Sequence, residues 1–451
     1  MVSVDVAIIG MGPGGENAAN RLGSAGLDVL AVEHELVGGS CPFWGCIPTK
    51  ISIRAASALQ EARRVDRLAG RSEVTPDWSP VAARIREEAT DSWHDDAAVR
   101  RLERQQVRLL RGHGRVSGPG QVEVDGQTIQ ATRAVVVNTG SRPMVPPVDG
   151  LDEADFWTSR DFVTAKELPE SCIVLGGGAI GVEIAQVMAR FGTQVQVVEM
   201  AERLLALQEP EVGVLVEQVL ESEGVAVRTG AMATHVETTD TGVAVTLDDG
   251  TRLGAERLLV AAGRSADPMD VGLDTVGVPT DASFAPTDER MRVSDGVYAI
   301  GDITGKGIYT HVSMYQSDIA VRDILGEPGP VADYRALPRV TFCDPEIGMV
   351  GMTEQEARES LNHVRVGTVD IPDTTRGWIR GVDNQGVIKL VEDAERGVLV
   401  GATVMAAAGG EVLGALSVAI HGEVPVEQLR SMMFAYPTFY RGIGQALRDL
   451  S

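Results

Sequence analysis

The sequence predicts an α/β fold built around two parallel-sheet βαβ units, and three observations predict it. A strand, a glycine turn, a helix and a second strand follow one another over residues 4–33 and again over residues 172–199. Each second strand ends in a glutamate, Glu33 in the first and Glu199 in the second. The chain has 451 residues, which at roughly 100–200 residues per domain leaves room for about three domains with separate cores. Its 40 basic and 64 acidic residues give a net charge of −24, a field that repels phosphate backbones and anionic lipid and argues against nucleic-acid or membrane-surface roles. A hydrophobic content of 44% with 23% charged residues is that of a folding chain, not a disordered one.

The chain opens on a strand pattern from Val4 to Gly10 without a basic leader, apolar signal core or cleavage site, so the expectation is a soluble cytoplasmic protein. The one long apolar stretch, residues 401–420, contains Glu411 and several glycines and reads as strand, turn and helix. In the first βαβ unit, Gly10 allows the tight turn, Gly12 lets the backbone approach a pyrophosphate, and Pro13 and Gly14 lead to Gly15, which lets the helix pack on the strand. Glu33, 23 residues after Gly10, is placed to accept hydrogen bonds from a ribose. A glycine-rich turn between packed elements is the plainer alternative. The second unit repeats the pattern with Gly176, Gly178, Ala179, Ile180 and Gly181, then a helix to Phe191 and a strand ending in Glu199. Two such sites imply two cofactors. Glu199 repels a 2′-phosphate and accepts from a free 2′-hydroxyl, which favours NADH; Arg203, four residues on, leaves NADPH open.

Between the units runs Gly38-Gly39-Ser40-Cys41-Pro42-Phe43-Trp44-Gly45-Cys46-Ile47-Pro48-Thr49-Lys50. Residues five apart in an ideal helix rise by about 7.5 Å and face different directions, whereas a disulfide needs Cα atoms roughly 4.4–6.8 Å apart. A ring between Cys41 and Cys46 therefore requires a distorted segment, which Pro42, Gly45 and Pro48 permit. Such a strained, accessible ring is labile and redox-active. Inert cysteines and a metal site are the alternatives, the latter weakened because no second Cys/His pair lies at ligand spacing, so no metal is expected. With Cys172 and Cys343 the chain has four cysteines, too few for a secreted disulfide scaffold. Only four residues are lysines, so Lys50 at the end of this run stands out.

These residues resemble the class I pyridine nucleotide-disulfide oxidoreductases, the flavoproteins that include dihydrolipoamide dehydrogenase, glutathione reductase, mycothione reductase and mercuric reductase. The likeness covers essentially the whole chain. Besides the two glycine turns and the cysteine run, it is carried by Val137-Asn138-Thr139-Gly140-Ser141, Ala261-Ala262-Gly263-Arg264, Tyr298-Ala299-Ile300-Gly301-Asp302 and Gly348-Met349-Val350-Gly351-Met352-Thr353-Glu354. It implies two Rossmann-like dinucleotide-binding domains, for FAD (1–150 and 268–330) and NAD(P) (151–267), and a C-terminal α+β dimerisation domain (331–451). FAD and NAD would be the cofactors, with NADP the alternative, and the protein would act as a homodimer on a small disulfide or another electron acceptor. Cys46 would be the flavin-facing thiol and Cys41 the one that attacks substrate, with Lys50 beside the flavin and Glu183 as its acidic partner. Gly39 and Ser40, Thr139, Gly140 and Ser141, and Gly301 and Asp302 would line the FAD, and Gly114 would contact adenine. Val236, Gly263 and Arg264 would line the nicotinamide nucleotide. Helical stretches at 52–69 and 79–106 read as a solvated excursion with surface charges.

The likeness breaks near the C-terminus. Such reductases carry a His-Pro-Thr-x-x-Glu run, whereas this chain has Tyr436-Pro437-Thr438-Phe439-Tyr440-Arg441. At a pKa near 10 a tyrosine is about a thousandth ionised at neutral pH, and a positioned base contributes roughly 10²–10⁴ in rate. Ordinary lipoamide or glutathione turnover is therefore not the expectation. Three readings follow: Tyr436 serves as acid/base or hydrogen-bond donor for an unusual disulfide; electrons go to a quinone, oxygen or another acceptor, or the chain is a dithiol oxidase; or FAD is retained in a non-catalytic assembly protein. Phe43 and Trp44, bulkier than the usual pair, suit either an apolar or aromatic substrate or packing against flavin or the dimer seam.

Overall fold

The computed structural model describes residues 2–451 and divides into two compact units. The first comprises residues up to Thr49, Ala82–Met144 and Gly263–Asp333. Its sheet runs in the order Arg292–Ser294, Val297–Ala299, Gln127–Val137, Val2–Ile9, Val29–Glu33, Arg108–Arg111, with a hairpin (Gly114–Gly118, Gln121–Val124) joined to Gln127–Val137. The five strands from Val297–Ala299 to Arg108–Arg111 are parallel. Their side chains alternate between faces as a strand requires. Val6 and Ile8 enter a core with the helices Pro13–Ser24 and Thr310–Leu325, while Ala7 and Ile9 enter another on the opposite face. Because both faces are covered, the strand Val29–Glu33 is buried at every position, as parallel sheets demand.

The second unit comprises Lys50–Val81, Val145–Ala262 and Tyr334–Ser451. A parallel sheet in the order Ala226–Arg228, Gln194–Val198, Ser171–Leu175, Arg257–Val260 carries the helix Ala179–Phe191, and an antiparallel three-stranded sheet spans residues 233–255. The C-terminal part is a five-stranded antiparallel sheet packed with the helices Gly409–His421 and Arg441–Asp449. The apolar run at 401–420 is the strand Val398–Ala406, a turn and that first helix. Among the described residues, no helix is long and apolar enough to cross a membrane.

Two helical expectations need correction. The stretch 52–69 belongs to a helix that begins at Cys46 and runs to Leu68, and its charges do not all face water. Arg64 is 3% exposed because Glu61, Asp344 and Asp383 surround its guanidinium. The stretch 79–106 is not continuous. It comprises the α-helix Ser79–Arg84, one π-helical turn Ile85–Ala89, and, after a break, the α-helix Asp96–Arg104. In the break, Asp91, Ser92 and Trp93 all have positive φ, which no helical periodicity anticipates.

Candidate active site

The first glycine turn is defined by close approach. A Cβ at Gly15 would lie 2.1 Å from the Gly10 carbonyl oxygen, so only glycine brings the helix Pro13–Ser24 onto the strand Val2–Ile9. Asn138 closes the turn from the neighbouring strand by donating from Nδ2 to the Gly10 carbonyl at 3.1 Å, and its Oδ1 accepts from Ser313 at 3.0 Å. Glu33 is 6% exposed. One of its oxygens accepts from Met11 N at 2.7 Å and the other from Glu35 N at 2.8 Å, so the ribose-binding candidate also sets the turn. The second turn repeats this plan. A Cβ at Gly181 would lie 1.9 Å from the Gly176 carbonyl oxygen, and Glu199 accepts from Gly177 N at 2.5 Å and Ala201 N at 2.7 Å. At Gly178, the N-cap of the helix Ala179–Phe191, a Cβ would meet nothing within 4 Å. Space at a helix N-terminus suits a pyrophosphate. The second turn therefore has room for a pyrophosphate, and at Gly12 in the first a Cβ would meet Asn138 Nδ2 at 3.3 Å, so glycine keeps that approach open.

The cysteine segment is seated directly on the first turn. Gly39 has φ +64°, and a Cβ there would fall 2.7 Å from Gly12 Cα, while Gly38 N donates to the Met11 carbonyl at 2.7 Å. Ser40–Phe43 form one short helical turn, the chain breaks at Trp44 and Gly45, and a new helix starts at Cys46. That break supplies the distortion the spacing demands: a Cβ at Gly45 would lie 3.2 Å from the Ser40 carbonyl oxygen and 3.9 Å from Cys41 Cα. The expected bond between Cys41 and Cys46 is not formed in this structure; Cys46 is exposed, with its Sγ 3.4 Å from Thr310 Oγ1. Cys172 and Cys343 are buried instead; burial pushes the Cys172 thiol up to about 12 and the Cys343 thiol well above its ordinary value.

Lys50 follows Cys46 by one helical turn. Within the second unit its Nζ donates to Glu183 Oε2 at 2.8 Å and lies 4.7 Å from the Phe342 ring centroid, while Glu183 Oε1 accepts from Phe342 N at 2.8 Å. The predicted Lys50 and Glu183 pair is thus in contact. In the first unit Ser141 donates to Asp302 Oδ2 at 2.5 Å, and Arg264 donates to both Ser141 Oγ and the Ser141 carbonyl. Ser141 therefore joins the Thr139–Ser141 and Gly301–Asp302 turns of the expected FAD lining, and Arg264, expected beside the nicotinamide nucleotide, is fastened to Ser141 instead; Gly140 has φ +73° with open space at its Cβ position. Gly114 packs against Ile9 and Val32, beside the strand that ends in Glu33.

Val236 behaves differently: its side chain is 1% exposed in the core of the second unit, leaving only backbone to meet a nucleotide. Tyr436 is 66% exposed, with the Arg441 guanidinium over its ring at 5.3 Å from the centroid. Three site residues escaped the sequence reading. Thr310, Ser313 and Gln316 share one face of the helix Thr310–Leu325; they reach Cys46, Asn138 and the Gly301 N–H, the last at 2.6 Å. Their i, i+3, i+6 spacing of small polar residues was the available signal.

The pyridine nucleotide-disulphide oxidoreductase family matches residues 4–318, and the dimerisation domain of the same family matches residues 337–447. The chain belongs to this family: it is an FAD-dependent pyridine nucleotide-disulfide oxidoreductase that uses NAD(P)H, and its C-terminal segment is a dimerisation domain. A dihydrolipoyl dehydrogenase of Thermus scotoductus is 32% identical over 100% of this chain and 98% of its own. A mercuric reductase of Streptomyces lividans is 30% identical over 99% and 96%. Among solved structures, the HOCl-induced flavoprotein disulfide reductase RclA from Escherichia coli, in its Cu(II) complex, superposes with a TM-score of 0.87 at 25% identity over 99% of both chains. LpdA from Mycobacterium tuberculosis gives 0.86 at 25% identity, also over 99% of both.

Proposed function

We propose that this enzyme uses NADH to reduce a small disulfide, neither lipoamide nor glutathione, through Cys41 and Cys46, in the cytoplasm and as a homodimer. NADH and one proton reduce the Cys41–Cys46 bond to two thiols and leave NAD⁺; the dithiol then reduces the substrate disulfide by exchange. FAD supplies the two-electron carrier that this transfer needs. The observation that carries the reading is the seating of the cysteine loop on the Gly12 turn, with Gly39 at van der Waals limit against it, while the two other cysteines are buried. Lys50, fixed by Glu183, would hold positive charge beside the flavin, and Glu33, Gly114, Thr139–Ser141 and Asp302 would bind it. The division into an FAD domain (1–150 and 268–330), an NAD domain (151–267) and a dimerisation domain (331–451) belongs to the same proposal.

Preference for NADH is supported at the second turn. Arg203 donates from Nη2 alone to the Ala206 and Gln208 carbonyls, at 2.8 and 3.2 Å, and Glu199 stands where a 2′-phosphate would be repelled. Tyr436 replaces the family's histidine, so proton transfer falls to its hydroxyl, the substrate or water. That replacement also favours a second reading, direct reduction of a quinone or another acceptor without thiols.

Anaerobic addition of one equivalent of NADH to the oxidised protein, followed by alkylation and mass measurement, tests the proposal. It expects two new thiols, absent in Cys46→Ser. Quinone reduction at the parent rate in Cys41→Ser/Cys46→Ser, with no NADH-generated thiols in the parent, would overturn it in favour of the second reading.

A further inference from the structure

We infer that the left-handed turn Asp91-Ser92-Trp93 positions the Cys41–Cys46 loop, with Trp93 holding its middle and Asp95 its entry. The inference rests on the reading of that pair as the redox centre and adds to it a pair of positioning residues. Three consecutive non-glycine residues with φ of 47°, 55° and 59° form an uncommon run. They follow a π-helical turn, a feature frequent at functional sites. Asp91 and Ser92 are exposed and gain no burial from their conformation. What the run achieves is the aim of the next side chain. The Trp93 indole stacks on Trp44, with centroids 5.8 Å apart and planes inclined by 19°, and Trp93 Nε1 donates to the Phe43 carbonyl at 3.3 Å.

Phe43 and Trp44 lie between the two cysteines, so one side chain grips the loop by both its backbone and its bulkiest ring. Two residues on, Asp95 is 8% exposed and accepts at 2.6 Å from Val37 N, immediately before Gly38 and Gly39, and at 2.6 Å from Arg111. The same turn thus holds the loop at its entry. Its own shape is kept by local hydrogen bonds: Ser92 N to the Arg86 carbonyl at 2.6 Å, and Thr90 Oγ1 to the Ile85 and Arg86 carbonyls. Holding residues 37, 43 and 44 from a single element confines the approach of the two sulfurs. This also assigns the bulk of Trp44 to loop geometry.

The test equilibrates FAD-loaded protein with mixtures of reduced and oxidised glutathione and measures the Cys41–Cys46 bond by alkylation and mass. Two glutathione thiols become one glutathione disulfide as the ring bond opens to two thiols, so electrons and protons balance. In Trp93→Ala the looser loop lowers the effective concentration of one thiol at the other, and the constant is expected to move toward the dithiol by about tenfold at unchanged FAD content. Trp93→Phe keeps a ring for Trp44 but loses the donor, and a shift of about threefold is expected. If Trp93→Ala does not retain FAD, Trp93→Phe alone decides. A constant within about twofold of the parent in the FAD-loaded variant overturns the inference, since a residue that merely packs leaves it unmoved. A parent protein that forms no Cys41–Cys46 bond at any glutathione ratio overturns the redox-pair reading itself, so the two failures are distinguishable.

Discussion

Lys50 and Glu183 make an unequal pair. The carboxylate is 4% exposed and is held on its other oxygen by the Phe342 N–H, whereas the lysine side chain is 35% exposed. The carboxylate is thus the fixed member and the ammonium the aimed one. Lys50→Met removes the cation and leaves a buried charge behind, and hydride transfer from NADH to the bound FAD is expected to slow by about 100-fold, read by stopped-flow absorbance. Glu183→Gln keeps an acceptor for the Phe342 N–H and should cost less. The four cysteines also separate at this scale. Burial keeps Cys172 and Cys343 protonated at neutral pH, so in the folded protein reduced with NADH iodoacetamide should modify Cys41 and Cys46, and the other two only after unfolding. Peptide mass mapping before and after denaturation checks this; native labelling of Cys172 would contradict the burial argument. Replacing Tyr436 by His should raise dihydrolipoamide oxidation by at least about tenfold if the missing base sets the limit. An unchanged rate would place the limit in the pocket.

At the scale of elements, the two glycine turns repeat one backbone device, and under the proposed assignment of FAD to the first and NADH to the second they can be broken separately. Gly15→Ala puts a methyl group at 2.1 Å from the Gly10 carbonyl and forces the helix Pro13–Ser24 away from its strand, so the purified variant should lack FAD absorbance. Gly181→Ala makes the equivalent clash at 1.9 Å in the second turn; that variant should stay yellow but require far more NADH for reduction. These turns were legible because their demands are local: a strand, glycines at fixed offsets and a terminal acid. The broken helix in the cysteine run was legible for a similar reason, since the spacing of Cys41 and Cys46 could not be met by a regular one. Thr310, Ser313 and Gln316 were not, because what they touch lies more than a hundred residues away in sequence or, for Gln316, in a turn whose role depends on it. The Asp91-Ser92-Trp93 turn was hidden too. None of the three is glycine or proline, their shape is kept by an irregular set of local hydrogen bonds, and what Trp93 touches lies some fifty residues earlier.

At the scale of the molecule, the second unit is assembled from three separated stretches of chain, and buried ions join them. Lys389, 2% exposed, donates to Glu209 at 2.9 Å and Glu211 at 2.8 Å and pairs with Glu354 at 2.8 Å. Arg64 and Arg190 both reach Asp344, from the first and second stretches to the third. Lys389→Met would strand Glu209, itself 2% exposed, and is expected to cost about 3–5 kcal/mol, visible as a lowered melting temperature. The pH dependence has a definite sign. Hydrogen bonds from Lys389 hold Glu354 below its ordinary 4.5, so its contribution is complete above that value and is lost as pH falls through the folded one. Burial alone would lower Lys389, but the three carboxylates outweigh it and hold the ammonium above its ordinary 10.5, so its contribution is complete below 10.5 and is lost only at higher pH. Melting temperatures from pH 3 to 10 should fall on the acid side in the parent, and less steeply in Lys389→Met. Finally, Gly39 leaning on Gly12 gives biogenesis an order. A newly made chain that has not met its flavin lacks the pyrophosphate that would brace the shared backbone wall, and its sulfurs are exposed to oxidation and mispairing before they can be useful. Cells starved of riboflavin should therefore accumulate protein whose damage is written on Cys41 and Cys46, and yellow protein should be spared.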